Sequence, residues 1–155
     1  GLRIMASTIS AGTLTVTVSE SISLNGSTMD ATNSLTIGSI NEISQRIVTV
    51  DVGALRTLFE FGTVIAPGKF IVANVKYIRI TNKDDNAVAG INLASAASNC
   101  WVAINPMQTL MMSAQSGLEG VASAVVGSPA LADLTKITGF NQLLPFDLDC
   151  YIALT

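Results

Sequence analysis

The chain reads as an all-β protein, an antiparallel β-sandwich of jelly-roll-like form with a long loop in its C-terminal third. Three observations predict this. Short runs of Val, Ile, Leu, Thr and Phe recur along all 155 residues with the period-two alternation of half-buried strands. The turn sequences Asn25-Gly26, Pro67-Gly68 and Lys83-Asp-Asp-Asn86 punctuate those runs. No repeat, heptad or linker divides the chain, so one domain over 1–155 is expected.

The clearest alternation comes first. Leu14, Val16, Val18, Ile22 and Leu24 share one parity, and Thr13 to Ser23 supply hydroxyls on the other. This is a strand with an apolar face and a hydroxyl face. Glu20 falls on the apolar parity, and a bulge or bend there is expected to split the run in two. Asn25-Gly26 makes a turn; the triplet Asn25-Gly-Ser27 would be a glycosylation acceptor only in a secreted eukaryotic protein. Leu35–Ile37, Gln45–Val52 and Leu55–Phe61 follow as strands, with Glu42 and Arg46 read as solvated loop charges in the intervening link, a helical pair there being the alternative.

Pro67-Gly68 turns the chain into Lys69–Asn82, expected as one long central strand. Both its parities are apolar, with Phe70, Val72 and Ile78 on one and Ile71, Val75 and Tyr77 on the other. A strand of that kind is covered on both sides, one by the core and one by a loop or another subunit. After the Lys83–Asn86 turn, Ala87–Leu93, Asn99–Ile104 and Met107–Met112 return as strands. Trp101, on the opposite parity to Cys100, Val102 and Ile104, reads as a packing residue rather than a ligand platform.

Beyond Met112 the pattern changes. Ser113–Gly127 is small and uncharged except for Glu119, as in a long loop or arm lying against something else. Ser128-Pro129 suits the start of one helical turn, and Asp147–Leu154 is a last, cleanly alternating strand.

Composition narrows the function classes. Charged residues are 12%, hydrophobic residues 49% and mean hydropathy +0.53, where soluble domains carry about 25% charge. The surface must therefore draw on Ser, Thr, Asn, Gly and aliphatic side chains, which suits contact with other subunits. A net charge of −3 and a pI near 4.7 argue against a nucleic-acid partner, which needs clustered Lys and Arg. The densest basic group is Lys76, Arg79 and Lys83, and in a strand the first two point to opposite faces. No charge lies between Asp85 and Glu119, but Asn92, Ser95, Ser98, Asn99, Asn105 and Pro106 interrupt that run, so no membrane-spanning helix is expected. Gly1 to Met5 has no long apolar core after Arg3, no secretory signal is expected there, and Met5-Ala-Ser-Thr reads as a natural start.

Chemistry-bearing residues are few. With no histidine, a Ser-His-Asp or Cys-His site cannot be assembled. The carboxylate pairs Asp84/Asp85 and Asp147/Asp149 are the glycosidase candidates, but acids in turns and at strand ends are usually solvated. Asp84, Asp85 and Asn86 offer oxygen ligands to calcium without EF-hand spacing. Cys100 and Cys150 sit at apolar parity and read as buried free thiols, a single bridge between them being the alternative. No catalytic residue, cofactor or metal is expected, and an enzyme ranks last among the readings.

Two stretches carry a family resemblance. Ala73-Asn-Val-Lys-Tyr-Ile-Arg-Ile-Thr-Asn-Lys-Asp-Asp-Asn86, with Trp101-Val-Ala-Ile-Asn-Pro106 and Thr109-Leu-Met-Met112, resembles small virion structural proteins of tailed bacteriophages, particularly of marine cyanobacteria. Met5-Ala-Ser-Thr-Ile-Ser-Ala-Gly-Thr-Leu-Thr-Val-Thr-Val18 and Asn33-Ser-Leu-Thr-Ile37 are similar to the same group. The resemblance runs to about Met112, and it departs at Asn105-Pro106-Met107, where a Pro-Gly or Lys-Gly type of turn is usual. It implies a β-sandwich that multimerises on the virion, with the major capsid protein or other virion proteins as partners.

The leading expectation is thus a capsid decoration or cement protein, a homotrimer stabilising the head shell. A tail, neck or fibre component is the first alternative and a carbohydrate-binding sandwich the second, the latter short of platforms with 5% aromatic residues. Expected interface residues are Met5 and Ile9 in an N-terminal arm over 1–9, Val75 and Tyr77 in the central strand, and Leu118, Val121 and Val125 in the 113–127 loop.

Overall fold

The structure is a computed structural model that describes residues 10–115, 117–121 and 131–155. The chain forms two units, 1–41 and 42–155, where the sequence suggested one domain.

The first unit is a two-stranded antiparallel ribbon of β1 (Gly12–Leu24) and β2 (Ser27–Ile40). Asn25 and Gly26 join them with φ of 52° and 79°. A two-residue hairpin turn with both central residues left-handed matches the strand twist, and Asn-Gly is the pair that tolerates it best. β1 passes Glu20 without interruption, the single register shift lying at the base between Gly12 and Leu14. The expected split at Glu20 is therefore corrected: around Glu20 the ribbon is exposed on both faces, so an acid on the apolar parity costs no burial there. Likewise Leu35–Ile37 is only part of a 14-residue strand.

The second unit runs β3 (Glu42–Val50), β4 (Arg56–Gly62), β5 (Phe70–Ile71), a 3₁₀ turn (Val72–Asn74), β6 (Val75–Asn82), β7 (Ala89–Ser95), β8 (Asn99–Ile104), β9 (Thr109–Ser113), β10 (Glu119–Val121), β11 (Leu131–Phe140) and β12 (Phe146–Leu154). One sheet has the order β3-β12-β6-β9 and is antiparallel throughout. The other has the order β5-β4-β11-β7-β8, with β10 also paired to β11. Its one parallel pair is β4 with β5. Among the described residues there is no α-helix, and the all-β sandwich expectation holds.

The sheets pack face to face on one apolar core. Ile78, Ile80, Leu148 and Ile152 come from the first sheet, and Leu58, Ile91 and Ile137 from the second, all essentially inaccessible. Each such side chain contributes about 1.5–3 kcal/mol on burial. Gly139 marks how closely the layers approach: a Cβ there would lie 3.2 Å from Val50 and 3.6 Å from Leu148 of the facing sheet. At one sandwich edge the guanidinium of Arg46 donates to the main-chain oxygen of Leu58, joining β3 to β4. Arg46 and Glu42 thus lie within β3 rather than in a link.

Other expectations are corrected by the same packing. The long central strand is broken by the 3₁₀ turn, which lets β5 pair with β4 in one sheet while β6 enters the other. The 113–127 loop contains β10, held by Glu119, Gly120 and Val121 opposite Asp133, Ala132 and Leu131. That pairing also makes Leu131–Asp133 extended, against the helical turn expected after Ser128; residues 122–130 lie outside the described residues. Cys150 is buried and free as expected, but Cys100 is exposed, because β8 is the outermost strand of its sheet.

Candidate assembly surface

The β1–β2 ribbon is the surface that its own unit leaves uncovered. Pairing opposite residues sets Leu14 against Ile37, Val16 against Leu35 and Ile22 against Met29, so that one face is apolar over nearly its whole length. The other face is a hydroxyl ladder, in which Thr17 meets Ser34 at 3.2 Å and Ser19 meets Thr32 at 3.3 Å. The apolar face is open toward the turn, where Ile22 is 54% exposed, Leu24 64%, Met29 74% and Leu35 44%, whereas Leu14, Val16 and Ile37 nearer the base are half-buried. Contiguous exposed apolar surface of this kind marks an interaction site, and an isolated hairpin is marginally stable in water.

Two polar residues interrupt the face near its middle. Glu20 stands opposite Ala31, and Asn33 opposite Val18, one rung nearer the base. Residues 10–41 contain no Lys or Arg, so neither Glu20 nor Asp30 has a cationic partner inside the ribbon. Ser39 with φ of 60° sits in the bulge at the base, where β2 carries one residue more than β1 between the paired positions.

The expected interface residues fall elsewhere. Val75 and Leu118 are core side chains of the second unit, and Tyr77 is buried with its ring edge-on to Tyr151 at 5.9 Å. They are corrected from interface to interior. Burial also raises the Tyr77 phenol above its ordinary value, the Arg79 charge opposing that shift. Val121 lies in β10 opposite Leu131. Met5, Ile9 and Val125 lie outside the described residues. The alternation of Met29, Ala31, Asn33, Leu35 and Ile37 was the available signal for β2, legible once pairing is counted outward from the Asn25-Gly26 turn.

Asp149, Asp147 and Asp84 are engaged locally. Asp149 accepts from Gln45 and pairs with Arg79 at 3.3 Å, and Arg79 also lies over the Tyr151 ring. Asp147 accepts from Thr49 at 2.6 Å. Asp84 accepts from the main chain of Ala87 and Asn86, which closes the turn and leaves the carboxylate in structural use. Among the described residues no three acidic, Cys or His side chains gather as metal ligands would. Trp101 is 51% exposed, braced edge-on by Phe140 at 6.3 Å. Its ring lies over Gly90, where a Cβ would come within 2.6 Å of the Phe140 oxygen. Trp101 thus packs on one side only, less completely than the sequence suggested.

Among the described residues no helix is long and apolar enough to cross a membrane. No known protein family, curated protein or solved structure matches the chain.

Proposed function

We propose that the chain is an assembling structural component of a bacteriophage virion, a decoration or cement protein that stabilises the head shell as a homo-oligomer. The observation that carries this reading is the β1–β2 ribbon, whose apolar face from Leu14 to Leu24 is roughly 33 Å long at about 3.3 Å per residue. A two-stranded sheet with one face of Val, Leu, Ile and Met is stable when another surface covers that face. Low charge and a Ser/Thr-rich surface accord with the same role, and the resemblance of residues 73–86, 101–106 and 109–112 to phage virion proteins supplies the biological setting.

The test is mass spectrometry and immunogold labelling of purified particles, together with heating of particles with and without the protein. Stoichiometric recovery, gold on the head and a lower rupture temperature without the protein are the expected results. Gold on the tail would transfer the reading to a tail component, and absence from the particle would overturn it.

A further inference from the structure

We infer that Trp101, with the side-chain amides of Asn92 and Asn99 beside it, is a binding platform for one ring of a neutral polysaccharide. This inference does not rest on the assembly reading, and the two are read by separate measurements.

The ring is held in place before any ligand arrives. Trp101 lies on β8, the outermost strand of its sheet, and is 51% exposed. Its indole lies over Gly90 of β7, where a Cβ would stand 3.6 Å from the indole and 2.6 Å from the Phe140 oxygen. No side chain fits at that position, and the indole rests where one would project. Phe140 braces it edge-on at 6.3 Å, with 66° between the ring planes. A ring packed on one side and bare on the other loses little freedom when something stacks on it.

Two amides share its face. Asn92 stands directly opposite Trp101 in the β7–β8 pair, and Asn99 precedes Trp101 by two residues on β8, so all three side chains leave the sheet on the same side. The Nδ2 of Asn92 donates to the Oδ1 of Asn99 at 3.2 Å, which orients both groups. The remaining oxygen of Asn92 and the remaining nitrogen of Asn99 have no partner among the described residues. One acceptor and one donor are thereby left beside the ring, the pair that two sugar hydroxyls need.

Charge selects the ligand class. No charged residue occurs from 86 to 118, so β7 and β8 carry none. A nucleotide would find no cation on these strands, and a proline-rich peptide needs a groove lined by several aromatics. A neutral pyranose fits: its C–H groups carry a small positive charge and meet the negative face of the indole, while its hydroxyls reach the amides. One platform without a cleft holds such a ring weakly, with a dissociation constant of about 1 mM at the usual yield per ligand atom.

The chain has a single Trp, so its fluorescence reports on this ring alone. The full chain is titrated with cellotetraose, mannotetraose and galactotetraose as neutral probes, and with tetragalacturonate as a charged counterpart. A saturable blue shift at about 1 mM is expected with at least one neutral probe, and none with tetragalacturonate. Saturation-transfer NMR of the same probe, which needs no Trp, should place the sugar C–H protons nearest the protein. Trp101→Ala should abolish that transfer, and Trp101→Phe should keep part of it. Asn99→Ala, at an exposed position, should weaken binding about tenfold. Silence with every neutral probe, undiminished transfer in Trp101→Ala, or an equal response to tetragalacturonate overturns the site. A shift on concentrating the protein alone gives the ring to a second copy and overturns it too. If Trp101→Ala does not fold, Asn99→Ala decides, and unchanged binding there overturns the site. Failure of sugar binding leaves the virion reading intact, and absence from particles leaves the sugar site intact.

Discussion

The side-chain amide of Asn82 donates to the main-chain oxygen of Ile104 at 3.1 Å, joining β6 of one sheet to β8 of the other. The same amide donates to Ala87 at 2.8 Å, and its oxygen accepts from the Asp84 main chain at 3.0 Å. Asn82 is fully buried, so these partners have no water to replace it. Asn82→Leu leaves the Ala87 and Ile104 oxygens unpaired, and Asn82→Asp sets a carboxylate against two carbonyls. Each is expected to cost about 2–3 kcal/mol. Urea unfolding checks this, with the midpoint falling and the slope unchanged; an effect below 0.5 kcal/mol, on the order of a neutral surface change, would sink the assignment.

Asp84 gives the connection after β6 a pH dependence. Hydrogen bonds from the main chain of Ala87, and then of Asn86, hold its carboxyl below the ordinary value. With the folded value below the unfolded one, the stabilisation is present above the unfolded pKa and is lost as pH falls through the folded pKa. Comparison of the native chain with Asp84→Ala should show a constant stability gap near neutrality that closes below roughly pH 4. A gap that persists undiminished at pH 2 would show that the carboxylate is not its source.

The two thiols should separate kinetically. Cys100 is exposed at the sheet edge, whereas burial pushes the Cys150 thiol up to about 12, outweighing the nearby Arg46 charge. Only the thiolate reacts, and at pH 8 a thiol of that kind is ionised in about one molecule in ten thousand. Titration with Ellman's reagent should show one fast equivalent in the folded chain and the second only in denaturant. Cys100→Ser should abolish the fast phase. Two fast equivalents would contradict the burial of Cys150.

What was legible in the sequence follows from where alternation is undisturbed. β8 has its expected bounds, and β1 keeps its parity from Leu14 to Leu24, because neither strand is bulged between those residues. β11 was missed for the opposite reason. Register shifts fall between Leu134 and Lys136 and between Ile137 and Thr138, so its buried residues are Leu134, Ile137, Thr138 and Gly139, a spacing with no period of two. The break at Val72–Asn74 was hidden similarly, since a run apolar on both parities reads the same whether it stays in one sheet or crosses to the other. The ribbon face was half legible: its β1 residues were evident, but burial was assumed for a surface that the structure leaves open.

Met107 occupies a glycine position. Gln108 donates its main-chain N–H to the Asn105 oxygen at 3.1 Å, closing the turn Asn105-Pro-Met-Gln108 that carries the chain from β8 to β9. Pro106 fits the second position, and the third, Met107, has φ of 63°, the left-handed value that a type II turn reserves for glycine. The departure from a Pro-Gly type of turn therefore changes the residue without removing the positive φ. For an L-residue that conformation costs about 1–2 kcal/mol, while a glycine's extra unfolded-state freedom costs about 0.5–1 kcal/mol. Met107→Gly should thus stabilise the chain by about 0.5–1 kcal/mol, the difference of those two terms. Met107→Ala keeps the Cβ and its strain; because the Met107 side chain is 63% exposed, little packing is lost, and its stability should match the native chain. Chemical denaturation of the three proteins decides the matter: if the alanine variant gained as much as the glycine variant, the effect would belong to the exposed side chain and not to the backbone.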